Sequence, residues 1–259
     1  MAAARTVGLL IALVLALTLA ACGGQATPRE LTIGAASSQR PLLQEVVTLF
    51  EDETGITVHV SYGASGSIAR QIEEGAPIDI FASADLLQIS DVSHFLVSDS
   101  IFAWGYGQLT IVQPIDSDPA IKTLLDAERI AIANPETAPY GAAAKQLMQR
   151  NGVWGQVEAN VVFAKTALQA LLFAQAGEVD FAFVPLSLIR ADGDGVRIVE
   201  HDDPLGFALT QALAVVAESH AVKDAQAFVA FFASDDVVLL MTALGYTPAL
   251  EHGRFSEAR

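Results

Sequence analysis

The hydrophobic pattern along the chain switches repeatedly between two periods. "LTIGA" (31–35) is a short apolar run ending in small residues, which predicts a buried strand. "RPLLQEVVTLFEDETG" (40–55) places Leu42, Leu43, Val46, Val47 and Phe50 at helical spacing and stops at Gly55. "ITVHVSYG" alternates and predicts a strand, "SIARQIEEG" a helix ending at Gly75, and "APIDIFASAD" another buried strand. Further strands are expected near 107–113, 129–133, 159–163, 179–184 and 209–216. Helices are expected near 117–126, 139–151, 166–176, 222–233 and 235–244. Such alternation implies an α/β fold whose sheets are mostly parallel, with helices on both faces.

Two runs, "YGQLTIVQP" (106–114) and "FALTQALAVVAE" (207–218), are long enough to leave one lobe and enter another. The expected architecture is therefore two α/β lobes joined by two strand crossings. Lobe 1 comprises residues 30–108 plus 214–259, and lobe 2 residues 109–213. A ligand cleft lies between them, at the carboxyl ends of strands, where helix N-termini point.

The first 21 residues read as a secretion signal: Arg5, then an apolar run to Ala21 that falls short of the roughly 18–20 residues a membrane span needs. Cys22 is the single cysteine and has no partner for a disulfide within the chain. Residues 23–28, "GGQATP", have the composition of a flexible tether, so residues 22–29 form a linker to the folded part. The net charge of −16 argues against a nucleic-acid surface and against binding to anionic lipid headgroups. It does not exclude a small anion, because local dipoles can oppose the overall field.

Four stretches join a strand end, small or hydroxyl residues and a helix start. They are "GAASSQRPLL" (34–43), "YGASGSIARQI" (62–72), "ANPETAPYGAAAKQLM" (133–148) and "FAKTALQALLFAQAGEVDFAFVPLS" (163–187). A helix start offers unpaired N–H donors and about half a positive charge. Several together can hold a dianion without Lys or Arg. Ser37 and Ser65 add rotatable hydroxyls, and Gly63 and Gly66 allow close backbone approach. Each stretch taken singly also reads as an ordinary cap, and Thr166 as the N-cap of a core helix. Arg40 and Lys165 flank the motifs, as rim cations or direct partners of an anion, and Arg70 is expected to face solvent.

"IARQIEEGAPIDIFASAD" (68–85), "FAWGYGQLTIV" (102–112), "IAIANPETAPYGAAAKQLM" (130–148) and "GEVDFAFVPLSLI" (177–189) together resemble the molybdate-binding proteins of ABC importers. The likeness runs from about Leu31 to about Pro248, and "LAAC" (19–22) resembles the lipoprotein box. The resemblance implies a two-lobed, type II-like periplasmic-binding fold that captures molybdate and tungstate and delivers them to the permease subunit of an ABC transporter. It implies no cofactor, no cation site and no catalysis. It places the protein in the bacterial cell envelope as a monomer, secreted and lipid-anchored through Cys22. By resemblance, the oxyanion ligands are Ser37, Ser65, and the backbone N–H groups of Tyr140 and Ala167. Ser38, Gly66, Thr166 and Pro185 are candidate additions. Some family members carry a Tyr where this chain has Pro185, which offers neither hydroxyl nor N–H.

The chemistry suits the anion. Molybdate is a deprotonated dianion at neutral pH and wants donors alone, whereas phosphate keeps a proton that needs an acceptor. No Asp or Glu lies within the Ser37 or Ser65 loops, and Glu136 precedes its helix. Sulfate is also a donor-only ligand, so a site for another tetrahedral oxyanion, or an oxyanion-sensing lipoprotein, is the alternative. An enzyme is disfavoured: the five His fall in no metal or catalytic motif, and there is no G-x-S-x-G, H-E-x-x-H or Walker A loop. Four Tyr, which Fe(III) would want, are scattered along the chain. Ser65→Ala is expected to weaken binding while leaving the apo fold nearly unchanged.

Overall fold

The structure, a computed structural model, describes residues 29–118, 122–199, 208–251 and 254–255. The leader, Cys22 and the tether, and with them the lipidation reading, lie outside the described residues. The chain opens with β1 (Glu30–Ala36), α1 (Arg40–Thr54), β2 (Thr57–Gly63), α2 (Ser65–Glu73), β3 (Ile80–Ser83) and α3 (Leu86–Asp91). In α1 the helical spacing does what it predicts: Leu42, Leu43, Val46 and Phe50 are buried, with Pro41 in the first turn. The helix ends at Gly55, whose φ of 67° suits a residue without Cβ.

β4 (Phe102–Pro114) then leads into β5 (Ile130–Ala133), α4 (Pro139–Arg150), α5 (Trp154–Val157), β6 (Val161–Ala164) and α6 (Ala167–Gln175). β7 (Phe181–Pro185), α7 (Leu186–Asp192) and β8 (Val196–Val199) follow. The chain returns through β9 (Ala208–Val215), α8 (Val222–Phe231), α9 (Asp235–Ala243) and β10 (Thr247–Pro248).

The strands lie in the order β2-β1-β3-β9-β4-β7-β5-β6. β1 is parallel to β2 and β3, and β5 is parallel to β6 and β7. Between these two parallel sets run β9 and β4, antiparallel to each other and to their outer neighbours. β4 pairs with β9 as far as Gln108 and with β7 from Leu109 onward. The two long strands are thus the crossings between two α/β lobes.

Each lobe has its own core. In the first, the Phe50 ring meets Phe228 edge-on at 5.0 Å between centroids, and Trp104 meets Tyr246 at 4.9 Å. In the second, Ile130, Ile132, Phe181, Phe183, Met148 and Leu171 are buried together. Ala36, Ala64 and Ala84, at strand ends of the first lobe, pack into that second core, so the lobes are in contact. Among the described residues of the stretch 117–126, where a helix is expected, none is α-helical: Leu124–Asp126 make one 3-10 turn, closed by a Thr123–Asp126 capping box. Leu124 packs on the second core but Leu125 is 54 % exposed, so the described residues offer a single apolar contact there, too little to hold a longer helix.

Candidate oxyanion site

Five strand ends meet where the lobes touch. β1 ends at Ala36 and runs into a 3-10 turn, Ser37–Gln39; β2 ends at Gly63, and α2 begins two residues later. β3 ends at Ser83, beside Ala84. From the second lobe, β5 leads to the start of α4 and β6 to the start of α6. They meet around a small cavity of about 10 Å3, lined by residues 36–38, 63–65, 84, 138–140 and 167. Ser37, Ser65, Tyr140 and Ala167 therefore share one cavity, two from each lobe, and Ser38 joins them.

The donors are set by helix geometry. The leading N–H groups of a helix have no acceptor within it. In α2 the Gly66, Ser67 and Ile68 N–H groups find carbonyls at Thr137 and Ala64, which leaves the Ser65 N–H at the cavity. In α4, Pro139 has no N–H, and Gly141 and Ala142 both donate to the Ala138 carbonyl, which leaves Tyr140. In α6 the Thr166 hydroxyl takes the Gln169 N–H at 3.1 Å, which leaves the first-turn Ala167 N–H. α4 comes this close to its strand because residue 141 is glycine: a Cβ there would lie 2.0 Å from the Ala133 carbonyl oxygen.

The side chains follow the same logic. Ser65 is 1 % exposed, and its Oγ accepts the Ala84 N–H at 3.1 Å, so its own proton is free to point at a ligand. Ser38 Oγ is buried with no hydrogen-bond partner. The Ser38 carbonyl accepts from Tyr246 at 3.0 Å and Ser187 at 3.1 Å, which uses both its lone pairs. Behind the cavity, Gln39 donates to the Ser83 carbonyl and to Gln211 Oε1, and Gln211 donates to the Ala84 carbonyl. This buried amide network fixes the strand ends to the crossing strand β9.

Among the described residues no charged side chain lines the cavity. Arg40 is half-buried with its guanidinium 4.3 Å from the centre of the Tyr62 ring, Lys165 and Arg70 are exposed, and Glu136 is exposed outside the lining. Asp85 caps α3 through the Gln88 N–H at 3.0 Å, and burial pushes its pKa up. Burial also holds the Tyr140 hydroxyl well above its ordinary pKa, so it stays neutral.

Three candidate additions fall outside the lining. Gly66 instead gives its N–H to the Thr137 carbonyl at 2.9 Å, a backbone bond from lobe to lobe. Thr166 caps α6, and Pro185 is buried at the end of β7, paired with Leu109. Sequence reasoning missed Ala84, whose N–H orients Ser65, because a lone Ala after a strand carries no signal. It also left out a contact that bears on Ser65→Ala: loss of Oγ would leave the buried Ala84 N–H without its partner, so a cost to the apo fold is expected. Tyr140 and Tyr246, far apart in sequence, both approach Gly107. Among the described residues no group of three His, Cys, Asp or Glu could hold a metal ion.

Comparisons with known proteins bear on the family and the fold. The bacterial extracellular solute-binding protein family matches residues 31–247. The molybdate-binding protein ModA of Rhodobacter capsulatus is 34 % identical over 200 residues, covering 74 % of this chain and 77 % of its own. YvgL of Bacillus subtilis (strain 168), which carries the name of an ABC-transporter substrate-binding lipoprotein, is 29 % identical over 84 % of this chain and 86 % of its own. Among solved structures, the periplasmic molybdate-binding protein of Azotobacter vinelandii superposes with a TM-score of 0.74 at 26 % identity, covering 84 % of this chain and 98 % of that one. The chain is a member of the bacterial extracellular solute-binding protein family.

Proposed function

We propose that this protein captures molybdate, and equally tungstate, in the cavity between its lobes and delivers it to an ABC permease. One observation carries the reading: helix starts from both lobes, and serines from the first, line one cavity, and among the described residues no charged side chain lines it. Ser37, Ser38 and Ser65 donate from lobe 1 (residues 30–108 plus 214–259), and Tyr140 and Ala167 donate backbone N–H groups from lobe 2 (residues 109–213). Donors from both lobes mean that the anion itself favours closure. Hydrogen bonds to a charged ligand contribute about 1.5–3 kcal/mol each, and low surrounding polarity strengthens them.

The same geometry disfavours phosphate. The Ser38 carbonyl is saturated, Ser65 Oγ already accepts, and no carboxylate lines the cavity. Among the described lining residues a phosphate proton would find only serine hydroxyls as acceptors, and so would compete with their use as donors to the anion. Only cavity size separates sulfate from molybdate. Cys22 carries a lipid anchor that holds the monomer at the outer face of the membrane, a reading supported by the "LAAC" box and the lipoprotein name of YvgL.

Calorimetry of the soluble domain with molybdate, tungstate, sulfate and phosphate tests this function. Tight binding of the first two and none of phosphate is expected. Tight sulfate binding without molybdate binding would move the protein to the other oxyanion class.

A further inference from the structure

Tyr140 does more than present a backbone N–H. Its side chain runs away from solvent, 2 % exposed, and ends in a buried hydroxyl with no hydrogen-bond partner. That oxygen lies against Gly107 of β4: a Cβ built on Gly107 would stand 2.2 Å from it. The same Cβ would stand 3.0 Å from Gln211 Nε2 on β9 and 3.2 Å from the Tyr246 ring. Gly107 pairs with Leu209, two residues before the point at which β4 changes partner from β9 to β7. The Tyr140 hydroxyl thus sits where the two crossing strands pass between lobes.

We propose that Tyr140 couples anion capture to the hinge: its backbone holds the ligand while its ring and hydroxyl occupy the notch that Gly107 leaves in the crossing strand. Gly107 is the positioning residue of this device. Its φ lies outside the left-handed region, so glycine is not demanded there by backbone conformation. What demands it is the space taken by the tyrosine. An unpaired hydroxyl is costly to bury, and its retention at a hinge is explained if the notch fixes the angle of α4 to the crossing strands. An added methyl group would push Tyr140 out of the notch. The α4 start and its N–H would move with it, away from the donors of the first lobe. The inference rests on the molybdate reading, since it concerns the same cavity.

The test is Gly107→Ala, made in the natural chain and in a Tyr140→Phe background, where the clashing oxygen is gone. Molybdate affinity is read by calorimetry, and compaction on molybdate addition by small-angle X-ray scattering. In the natural background Gly107→Ala should weaken binding by about tenfold or more and reduce the compaction, while in the Tyr140→Phe background the same change should cost less than about threefold. A merely structural loss would be equal in the two backgrounds. Equal penalties, or a Gly107→Ala protein that binds and compacts like the natural one, would overturn the coupling while leaving the molybdate reading intact. Absence of molybdate binding by the natural protein would overturn both.

Discussion

Replacing Ser65 by Ala removes one oxygen that has two roles. Ser65 Oγ accepts the Ala84 N–H at 3.1 Å, and its own proton is free to reach a ligand in the cavity that Ser65 lines. Loss of a hydrogen bond to a charged ligand costs about 1.5–3 kcal/mol, which is roughly ten- to a hundredfold in affinity. Loss of the partner of a buried N–H costs about 1–3 kcal/mol of stability. For a protein of this size that is a fall in Tm of roughly 2–12 °C. Titration calorimetry reads the first effect and differential scanning calorimetry of the ligand-free protein the second. The two must appear together. A lowered Tm with molybdate affinity within about twofold of the natural protein would show that Ser65 only braces Ala84, and the donor assignment would fall. An unchanged Tm would contradict the Ala84 contact.

Other outcomes follow from the same structure. Gly141→Ala forces a Cβ to within 2.0 Å of the Ala133 carbonyl, so it should destabilise the protein by at least about 1–3 kcal/mol and abolish tight molybdate binding, read by thermal melts and calorimetry. Molybdate at a thousandfold excess over its Kd should stabilise the folded state by about 4 kcal/mol and raise Tm by several degrees, with no comparable effect of phosphate. The cavity is lined by no group that titrates near neutrality, and the raised pKa of Tyr140 keeps its phenol uncharged, so molybdate affinity should stay flat from about pH 6 to about pH 9. A titration with a midpoint in that range would reveal an ionisable ligand. Cys22→Ser should release the protein from membranes in a fractionation assay, and retention on the membrane would refute lipidation.

Much of the fold was legible because burial is periodic. The α1 stripe and the fully buried β3 and β5 announce themselves, since each element buries a face set by its own spacing. The 117–126 segment misled because, among its described residues, only Leu124 packs on the second core while Leu125 is exposed, too little to hold an α-helix. α3 and α7 were missed because one or two turns carry too few positions to show a period. The helix starts of the cavity were visible as Gly and Ser clusters, but their convergence was not. That depends on strand order and on the contact between lobes. Ala84 acts through its backbone N–H, which its side chain does not announce, and at Gly66 a Cβ would stand 3.0 Å from the Thr137 oxygen that its N–H meets. Gly107 looked like one more strand glycine, until the reach of Tyr140 gave its missing Cβ a reason.

A crystal structure of the protein grown with molybdate, with the metal located by its anomalous scattering, tests the central claim most directly. The account predicts a single molybdenum peak between the starts of α2, α4 and α6 and the Ser37–Gln39 turn. Its oxygens should be within hydrogen-bonding distance of Ser37, Ser65 and the Tyr140 and Ala167 N–H groups, with no Lys or Arg in contact. A peak elsewhere on the molecule, or an oxyanion held by a cationic side chain, would contradict it.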